Sequence, residues 1–337
     1  MIQGGWCMVL GGLLGAAVSD VLPAQVSCAR PSFRECHARL DSIELRQDER
    51  ALIVQIGAVA LGPRGHIAVS DISEANVKIY GDGGRLVAVL GRKGSGPGEF
   101  QEPIRLDFDA SGRLLVLDNV LRRLTIFDPS FRFSKTLRLQ YPGYVTSLQA
   151  LPAGGTLLGV VAGGGVGVLR LDSLGRVRDT LLAPPRGMRM GSEPWRVLNQ
   201  VSATIQGDAV LIVSAVQDSL FRHDQRSRRI SAVQVPAAEL RRVPDPPARF
   251  DPKAFAIWAN SFFRPNGVYP SHGGVIVTLQ KGLTFEGPVT HIWAFHPTGG
   301  WSEFRDSPPV VDVRDGVLVT MLDAGPERIA IGLFRRR

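Results

Sequence analysis

The chain has 337 residues, of which 44% are hydrophobic and 21% are charged, an ordinary globular balance that argues against intrinsic disorder. Its 39 Lys and Arg exceed its 31 Asp and Glu, which gives a formal net charge of +8. No stretch combines clustered cations with interleaved aromatic residues, so we exclude nucleic acid as the expected partner, and a basic face that meets anionic glycans or envelope lipids stays an alternative.

The first 24 residues differ in composition from the rest of the chain. Trp6 to Val18 form an apolar run of 13 residues, which is too short to span a bilayer and has the length of a signal-peptide core. Small residues suited to cleavage end at Ala17 and at Ala24. We therefore expect a signal peptide over residues 1–24, export to the periplasm or the extracellular space, and no integral membrane segment.

Two cysteines remain once the predicted signal peptide, which contains Cys7, is removed. Cys28 and Cys36 lie eight residues apart near the new N-terminus. In an oxidising compartment this spacing favours a local disulfide, and two free thiols are the alternative. Beyond them, Ser42–Arg46 alternates apolar and charged residues, as a half-buried strand does.

A short apolar motif that begins with glycine recurs six times from residue 65 onward. Gly65–Asp71 and Gly112–Asp118 are clear copies 47 residues apart. Weaker copies begin at Gly155, Gly207, Gly274 and Gly316. Each has an apolar strand before it, and most are followed by an alternating strand, a tight turn and an outer strand. A period of this length built of short strands is typical of β-propeller blades, in which we expect the innermost strand to be the most apolar.

The link between the first two copies carries the most specific motif. Gly91–Pro103, with its glycine-rich start and its Pro-Gly-Glu-Phe element, together with the strand Gly112–Asp118 resembles the NHL repeat of TolB-like six-bladed β-propellers. The family also favours an Asn and an Arg at the following turn, where this chain has Asn119, Arg122 and Arg123. The resemblance implies an all-β propeller of six four-stranded antiparallel blades. We expect Phe100 to wedge between blades and Asp118 to cap the turn.

One helix is predicted in the connection between blades four and five. Asp251 is a good N-cap, Pro252 suits the first helical position, and Phe255, Trp258 and Phe262 fall on one face.

The last copy has three strands, so a fourth must come from elsewhere. We expect residues 41–47 to pair with residues 328–334 and close the ring, since folded proteins avoid exposed edge strands. The predicted organisation is a signal peptide over 1–24, an N-terminal arm with the closing strand over 25–50, and the propeller over 51–337.

No catalytic motif is present: the sequence lacks HExxH, paired CxxC, a Walker A loop and GxSxG. Gly94–Gly98 lacks the Lys and the helix of a phosphate loop, so we interpret it as an inter-blade turn. Six-bladed relatives include lactonases and lyases with a metal in the central channel. For that alternative the candidate ligands are Asp107, Asp109 and Asp312, with a divalent cation such as calcium; the leading prediction has no cofactor and no catalytic residue.

Three long connections, 183–200, 236–265 and 280–291, fall on one face of the propeller over blades three to five. Long connections in a compact domain are usually functional or disordered. Their aromatic and cationic residues are the predicted ligand-binding set: Trp195, Arg196, Trp258, Phe262, Arg264 and Lys281. The leading hypothesis is a non-catalytic exported protein that binds a protein, peptide or glycan there. The alternatives are a metal-dependent lactonase or lyase, a purely structural repeat domain, and, for Trp258 and Phe262, a role in seating the helix.

Overall fold

The computed structural model describes fourteen segments of the chain. They are residues 18–22, 25–26, 32–47, 52–141, 143–152, 154–162, 165–182, 200–214, 219–236, 251–271, 274–281, 291–295, 300–325 and 328–336. Three strands precede the first blade: β1 (Val18–Leu22), β2 (Gln25–Val26) and β3 (His37–Leu45). Two α-helices are described: α1 (Phe33–Cys36) and α2 (Pro252–Ala259).

Six sheets form the ring, and in each of them four strands pair antiparallel in the order a, b, c, d from the inside outward. Blades one to three comprise β4 (Ile56–Leu61), β5 (Ile67–Asp71), β6 (Asn76–Tyr80), β7 (Leu86–Leu90), β8 (Pro103–Phe108), β9 (Leu114–Asp118), β10 (Arg123–Phe127), β11 (Phe133–Arg138), β12 (Tyr144–Ala150), β13 (Thr156–Ala162), β14 (Gly165–Leu171) and β15 (Val177–Leu182). Blades four to six comprise β16 (Val201–Gln206), β17 (Ala209–Ser214), β18 (Ser219–Asp224), β19 (Ile230–Gln234), β20 (Phe263–Ser271), β21 (Gly274–Lys281), β22 (His291–Phe295), β23 (Gly300–Phe304), β24 (Val310–Arg314), β25 (Val317–Ala324) and β26 (Ile329–Arg336). The six-bladed propeller predicted from the repeats is confirmed.

The ring closes where the two ends of the propeller meet. β3 pairs antiparallel with β26, with Leu45 opposite Ile329 and His37 opposite Arg336. Ile43 and Leu45 are buried against blades six and one. The predicted closing strand is therefore confirmed, although it begins earlier than expected and ends at Leu45.

The second strand of a blade is more buried than the innermost one. β5, β9 and β17 are buried at every position, whereas β8 alternates buried and half-buried residues. The expectation that the innermost strand is the most apolar is thus wrong, because one face of that strand lines the central channel and the second strand has a blade on both faces.

The motif between blades one and two acts as predicted. Phe100 is fully buried between apolar residues of both blades. The Asp118 carboxylate accepts backbone N–H groups of Gln101 at 2.6 Å, Glu102 at 3.1 Å and Leu121 at 2.8 Å. It therefore caps the turn of its own blade and anchors the chain that enters that blade.

The glycine-rich link forms an inter-blade turn held by two charged side chains. The carboxylate of Glu99 accepts the N–H of Gly96 at 2.7 Å, and the Arg123 guanidinium donates to the carbonyls of Ser95, Gly96 and Glu99. Gly94 and Gly96 face the Glu99 carboxylate so closely that a Cβ on either would collide with it. The absence of a side chain at these two glycines therefore leaves room for the Glu99 carboxylate.

The N-terminal arm packs against blades five and six. The Asp306 carboxylate accepts the N–H of Phe33 and the hydroxyl of Ser32, each at 2.8 Å. Phe33 is fully buried and stacks on His37 with ring centroids 4.3 Å apart. Cys36 is a free thiol within the described arm, and Cys28 lies outside the described residues, so the disulfide stays a prediction.

Two short strands of the same arm extend outer blade edges. β1 pairs parallel with β19 of blade four, and β2 pairs parallel with β23 of blade five. β1 falls within the predicted signal peptide, most of which lies outside the described ranges. Neither described α-helix is long and apolar enough to cross a membrane.

Candidate functional site

The central channel is lined by half-buried polar side chains from the innermost strands. β8 of blade two contributes Arg105 and Asp107, β12 of blade three contributes Gln149, and β24 of blade six contributes Asp312 and Arg314. Strand alternation explains this placement, because every second residue of an inner strand faces the channel while its neighbours pack between blades.

Both channel carboxylates bind the backbone of the next blade. Asp107 accepts the N–H of Ala150 in blade three at 2.7 Å, and Asp312 accepts the N–H of Leu61 in blade one at 2.8 Å. These contacts satisfy amide groups that no sheet partner reaches. The carboxylates therefore join adjacent blades.

Gln149 joins blade three to blade four in the same way. Its Oε1 accepts the N–H of Ile205 at 2.9 Å, and its Nε2 donates to the hydroxyl of Thr204 at 2.9 Å. Ser202 of blade four does the same for blade five, since its Oγ accepts the N–H of Val268 at 3.2 Å. Among the described residues, four of the six blade boundaries thus use a polar side chain of the inner strand to hold the backbone of the next inner strand.

The two channel arginines bind carbonyl oxygens. Arg105 donates to the carbonyl of Thr146 at 2.6 Å, which adds a second link between blades two and three. Arg314 donates to the carbonyls of Leu61 at 3.3 Å and Phe108 at 2.5 Å, so it spans from blade six to blades one and two. The charged side chains of the channel therefore hold neighbouring blades together.

Burial shifts the ionisation of these groups. Burial, helped by the nearby charge of Asp312, raises the pKa of Asp107 to about 7. Burial also raises the pKa of Asp312 and of Tyr269, and it lowers the pKa of Arg105. A carboxyl group with a pKa near neutrality changes the charge of the channel in the physiological pH range.

Of the three predicted metal ligands, the structure brings Asp107 and Asp312 to the channel and leaves Asp109 in a turn. Asp109 accepts hydrogen bonds from Ser111 and Arg113, whose Nε donates at 2.6 Å. In the described part of the chain, no three or more His, Cys, Asp or Glu residues are grouped so that they could hold a metal ion.

The face that carries the d–a and b–c connections, here called the top face, has exposed apolar side chains. Six of the twelve exposed large hydrophobic residues in the described ranges lie there: Leu52, Val54, Val120, Tyr144, Ile257 and Leu322. The exposed fraction is 62% for Val120 and 65% for Ile257. They belong to blades one, two, three and six and to α2, and they are the exposed apolar side chains that a partner on this face would cover.

The turn that presents Val120 is held firmly against blade three. The Oδ1 of Asn119 accepts the N–H of Val145 at 3.1 Å and the hydroxyl of Tyr141 at 3.0 Å. The guanidinium of Arg122 lies 5.9 Å from the centre of the Tyr141 ring. Burial raises the pKa of Tyr141 to about 12, so its hydroxyl stays a donor at neutral pH.

The helix predicted between blades four and five is confirmed, with the Asp251 side chain accepting the N–H of Ala254 at 2.7 Å. Trp258 and Phe262 are buried in a cluster with Phe255, which supports the alternative that they seat the helix.

The predicted cations have different positions. Arg264 is 1% exposed on β20, and burial lowers its pKa to about 10, so it is not a surface cation. Lys281 ends β21, but its side chain lies outside the described part, as do Trp195 and Arg196 entirely. A ligand-binding role for the six predicted residues stays a prediction.

Sequence reasoning missed two groups of residues. Arg105, Gln149 and Arg314 could have been found as polar residues at alternate positions of inner strands. Val120 and Ile257 carry no local signal, because an exposed aliphatic residue and a buried one look alike in a sequence.

Comparisons with known proteins agree with this architecture. A family model described as a 6-bladed beta-propeller matches residues 32–149. No curated protein matches the chain. A candidate exported protein from Bacteroides fragilis is 12% identical, with 92% of this chain and 98% of that chain covered and a TM-score of 0.62. A virginiamycin B lyase from Staphylococcus aureus is 11% identical, with 88% and 99% covered and a TM-score of 0.52. A candidate gluconolactonase is 12% identical, with 92% and 97% covered and a TM-score of 0.54. At such identities the likeness is one of fold, and the chain is similar in fold to propellers of exported proteins and of enzymes alike.

Proposed function

We propose that the protein is an exported, non-catalytic propeller of the NHL type that binds a partner protein on its top face, through a peptide segment with apolar side chains. The observation that carries this proposal is that half of the exposed large hydrophobic residues in the described ranges lie on the top face. Such residues gain free energy when a partner covers them, and binding energy at protein interfaces is concentrated in a few well-packed residues.

The chemistry of the channel supports a binding role over a catalytic one. Asp107, Asp312, Arg105 and Arg314 each hold backbone groups of another blade. A catalytic group must instead be able to bond substrate during the reaction. Periplasmic or extracellular export is supported by the apolar N-terminal run and by the fold likeness to a candidate exported protein.

A metal-dependent hydrolase or lyase is the second candidate, since two carboxylates in one channel and the likeness to a lyase fold favour it. Calcium takes about six to eight oxygen ligands. Asp107 and Asp312, each already accepting an N–H, fall short of such a site with the described residues. Calorimetry with calcium on the wild type and on an Asp107→Asn, Asp312→Asn variant tests it: binding in the wild type that the variant loses would favour the enzyme.

The test of the binding proposal uses a photo-crosslinking amino acid placed at Val120 or, as a control, at Leu174. Leu174 is 57% exposed in the c–d turn of blade three, on the opposite face. In extracts of the cell envelope, we expect a protein to be crosslinked from position 120 and not from position 174. The crosslinked peptide is then synthesised and its affinity is measured.

Val120→Asp and Ile257→Asp should each weaken binding of that peptide at least tenfold, because a charge in an apolar contact must be desolvated. Leu174→Asp and Val89→Asp are the matched controls away from the top face and should bind as the wild type does. Equal crosslinking from both positions, or equal affinity of all four variants, would overturn the proposal.

The cationic part of the predicted site needs its own variant. Arg264 is nearly fully buried, so replacing it would damage the fold and binding together. Arg196→Ala combined with Lys281→Ala leaves Arg264 in place. If the folded double variant keeps full affinity for the peptide, these two cations do not belong to the binding surface.

A further inference from the structure

A cleft of about 180 Å³ lies between the outer strands of blades three and four, on the face opposite the top face. Arg170 of β14 and Asp179 of β15 line it from blade three. His223 of β18, with Gln225 and Arg228 of the following turn, lines it from blade four. We call it the blade 3–4 cleft.

Arg170 fixes the two sides of the blade 3–4 cleft relative to each other. Its guanidinium donates to the side-chain oxygen of Gln225 at 2.7 Å and to the carboxylate of Asp179. Asp179 is the one carboxylate that lines the cleft, and its charge is already matched by Arg170. The positive charge of Arg228 is left without a neutralising group in the cleft.

Arg228 is exposed and has no hydrogen bond or ion pair to any residue in the described ranges. Its backbone has a φ of 56°, in the left-handed region that disfavours residues with a side chain. The corresponding turn of blade three has Gly175 in this conformation. Phe131 has the same conformation in the corresponding turn of blade two, so the conformation belongs to this type of turn, and in blade four it places the Arg228 side chain at the cleft.

His223 supplies a second polar group without a partner. Its Nδ1 is buried, and no hydrogen-bond partner lies within the described part of the chain. A buried polar atom without a partner costs free energy, so most such atoms in folded proteins are paired. His223 also lines the cleft, and a ligand there reaches Nδ1 when the ring turns toward it.

We propose that the blade 3–4 cleft binds a small tetrahedral oxyanion, phosphate or sulfate, with Arg228 as its principal contact and Arg170 and His223 beside it. Guanidinium groups pair with the oxygens of phosphate through parallel N–H donors. Arg170, Arg228 and His223 approach from two blades, and a tetrahedral oxyanion has enough oxygens to accept from all three. The ion is either free or the charged group of a glycan or a lipid headgroup.

The site is independent of the proposed partner surface, since it lies on the opposite face. Calorimetry at constant ionic strength measures binding of sodium phosphate and sodium sulfate, with sodium acetate as the carboxylate comparison. Arg228→Gly removes the guanidinium and also relieves the left-handed strain, so this variant should fold at least as well as the wild type. Arg64→Gln, an exposed arginine in a turn of the same face, is the control for loss of one charge.

We expect saturable binding of phosphate or sulfate by the wild type, at least tenfold weaker binding by Arg228→Gly, and unchanged binding by Arg64→Gln and by Val120→Asp. Tighter binding of glycerol phosphate or of a sulfated disaccharide than of the free ion would identify a headgroup or a glycan as the source, and equal binding would identify the free ion. The proposal is overturned if the folded wild type binds neither ion saturably, or if Arg228→Gly binds as well as the wild type.

Discussion

Blades one and two meet around aromatic rings, whereas blades three and four meet through aliphatic side chains and amide hydrogen bonds. Phe100, Phe108 and Phe127 are buried at the first boundary. No aromatic residue is among the buried members of the second cluster, where Gln149 holds the backbone of the next blade instead. One propeller thus uses two ways of fixing neighbouring sheets.

The two boundaries should also differ in how much they contribute to the free energy of unfolding. Burial of a large aromatic ring among apolar side chains is strongly favourable, because it removes about 150–250 Å² of surface from water. A hydrogen bond in a channel that water reaches contributes much less, because the groups bond to water when they separate. We therefore expect the boundary between blades one and two to be the stronger one, and four measurements test this order.

The largest effect should come from deleting residues 37–45, which removes the closing strand and exposes β26. Both boundaries should then weaken together, because neither is held by a closed ring. We expect the melting temperature to fall by more than about 10 °C or the cooperative transition to disappear. Calorimetry measures it, and a deletion that melts like the parent would mean that closure lies elsewhere.

Phe100→Ala should lower the free energy of unfolding by about 4 kcal/mol, the typical loss for a fully buried Phe. Denaturant unfolding measures the change. Phe133→Ala, in the outer strand of blade two where the ring is exposed, is the control and should change stability by less than about 1 kcal/mol. Equal losses in the two variants would contradict the assigned role of Phe100.

The boundary between blades two and three adds a third case, because there the carboxylate of Asp107 binds the backbone of the next blade. Asp107 has a pKa of about 7 in the fold, well above its ordinary value of 3.8. Its ionisation therefore opposes folding: the penalty is absent below the unfolded pKa and is complete above pH 7. We expect it to reduce stability by about 2 kcal/mol as pH rises from 4 to 7, after allowance for channel water.

Asp107→Asn keeps an acceptor for the N–H of Ala150 and cannot ionise. The difference in unfolding free energy between this variant and the wild type should grow in favour of the variant as pH rises through that range. A difference that stays constant with pH would show that Asp107 does not titrate there.

Gln149→Met should produce the smallest effect, about 1 kcal/mol, because it frees the N–H of Ile205 and the hydroxyl of Thr204 toward the channel, where water can bond both. Gln149→Glu keeps the acceptor for Ile205 and is the matched control. A loss as large as that of Phe100→Ala would reverse the proposed order of the two boundaries.

The sequence predicts the first boundary better than the second, for a physical reason. Phe100 and Asp118 belong to one continuous motif, and Asp118 binds the N–H groups of Gln101 and Glu102 at most 17 positions away, so local pattern and contact coincide for this carboxylate. Thr146 bonds the backbone of Val201, 55 positions away, across an inter-blade register that no local pattern specifies. The helix capped by Asp251 was likewise predicted from adjacent residues, while the burial of Arg264 depends on packing between distant segments.

The candidate surfaces follow the same division. Aromatic and cationic residues in long connections predict a ligand-binding surface, yet Trp258, Phe262 and Arg264 are buried. The exposure of Val120 depends on its turn, which the hydrogen bond between Asn119 and the N–H of Val145 holds against blade three, and the sequence does not display that contact. Arg228 lines a cleft that forms only where blades three and four meet, which a sequence does not display.

Ring closure by β3 and β26 also sets an order of events during synthesis. Glu44 and Arg328, whose side chains form an ion pair across these strands, are 284 positions apart. β3 is thus made long before β26, and it waits unpaired until β26 has left the ribosome. Loop closure over such a distance is slow and comes late. A chain that is interrupted before β26 cannot complete blade six, so β3 then stays without its partner strand.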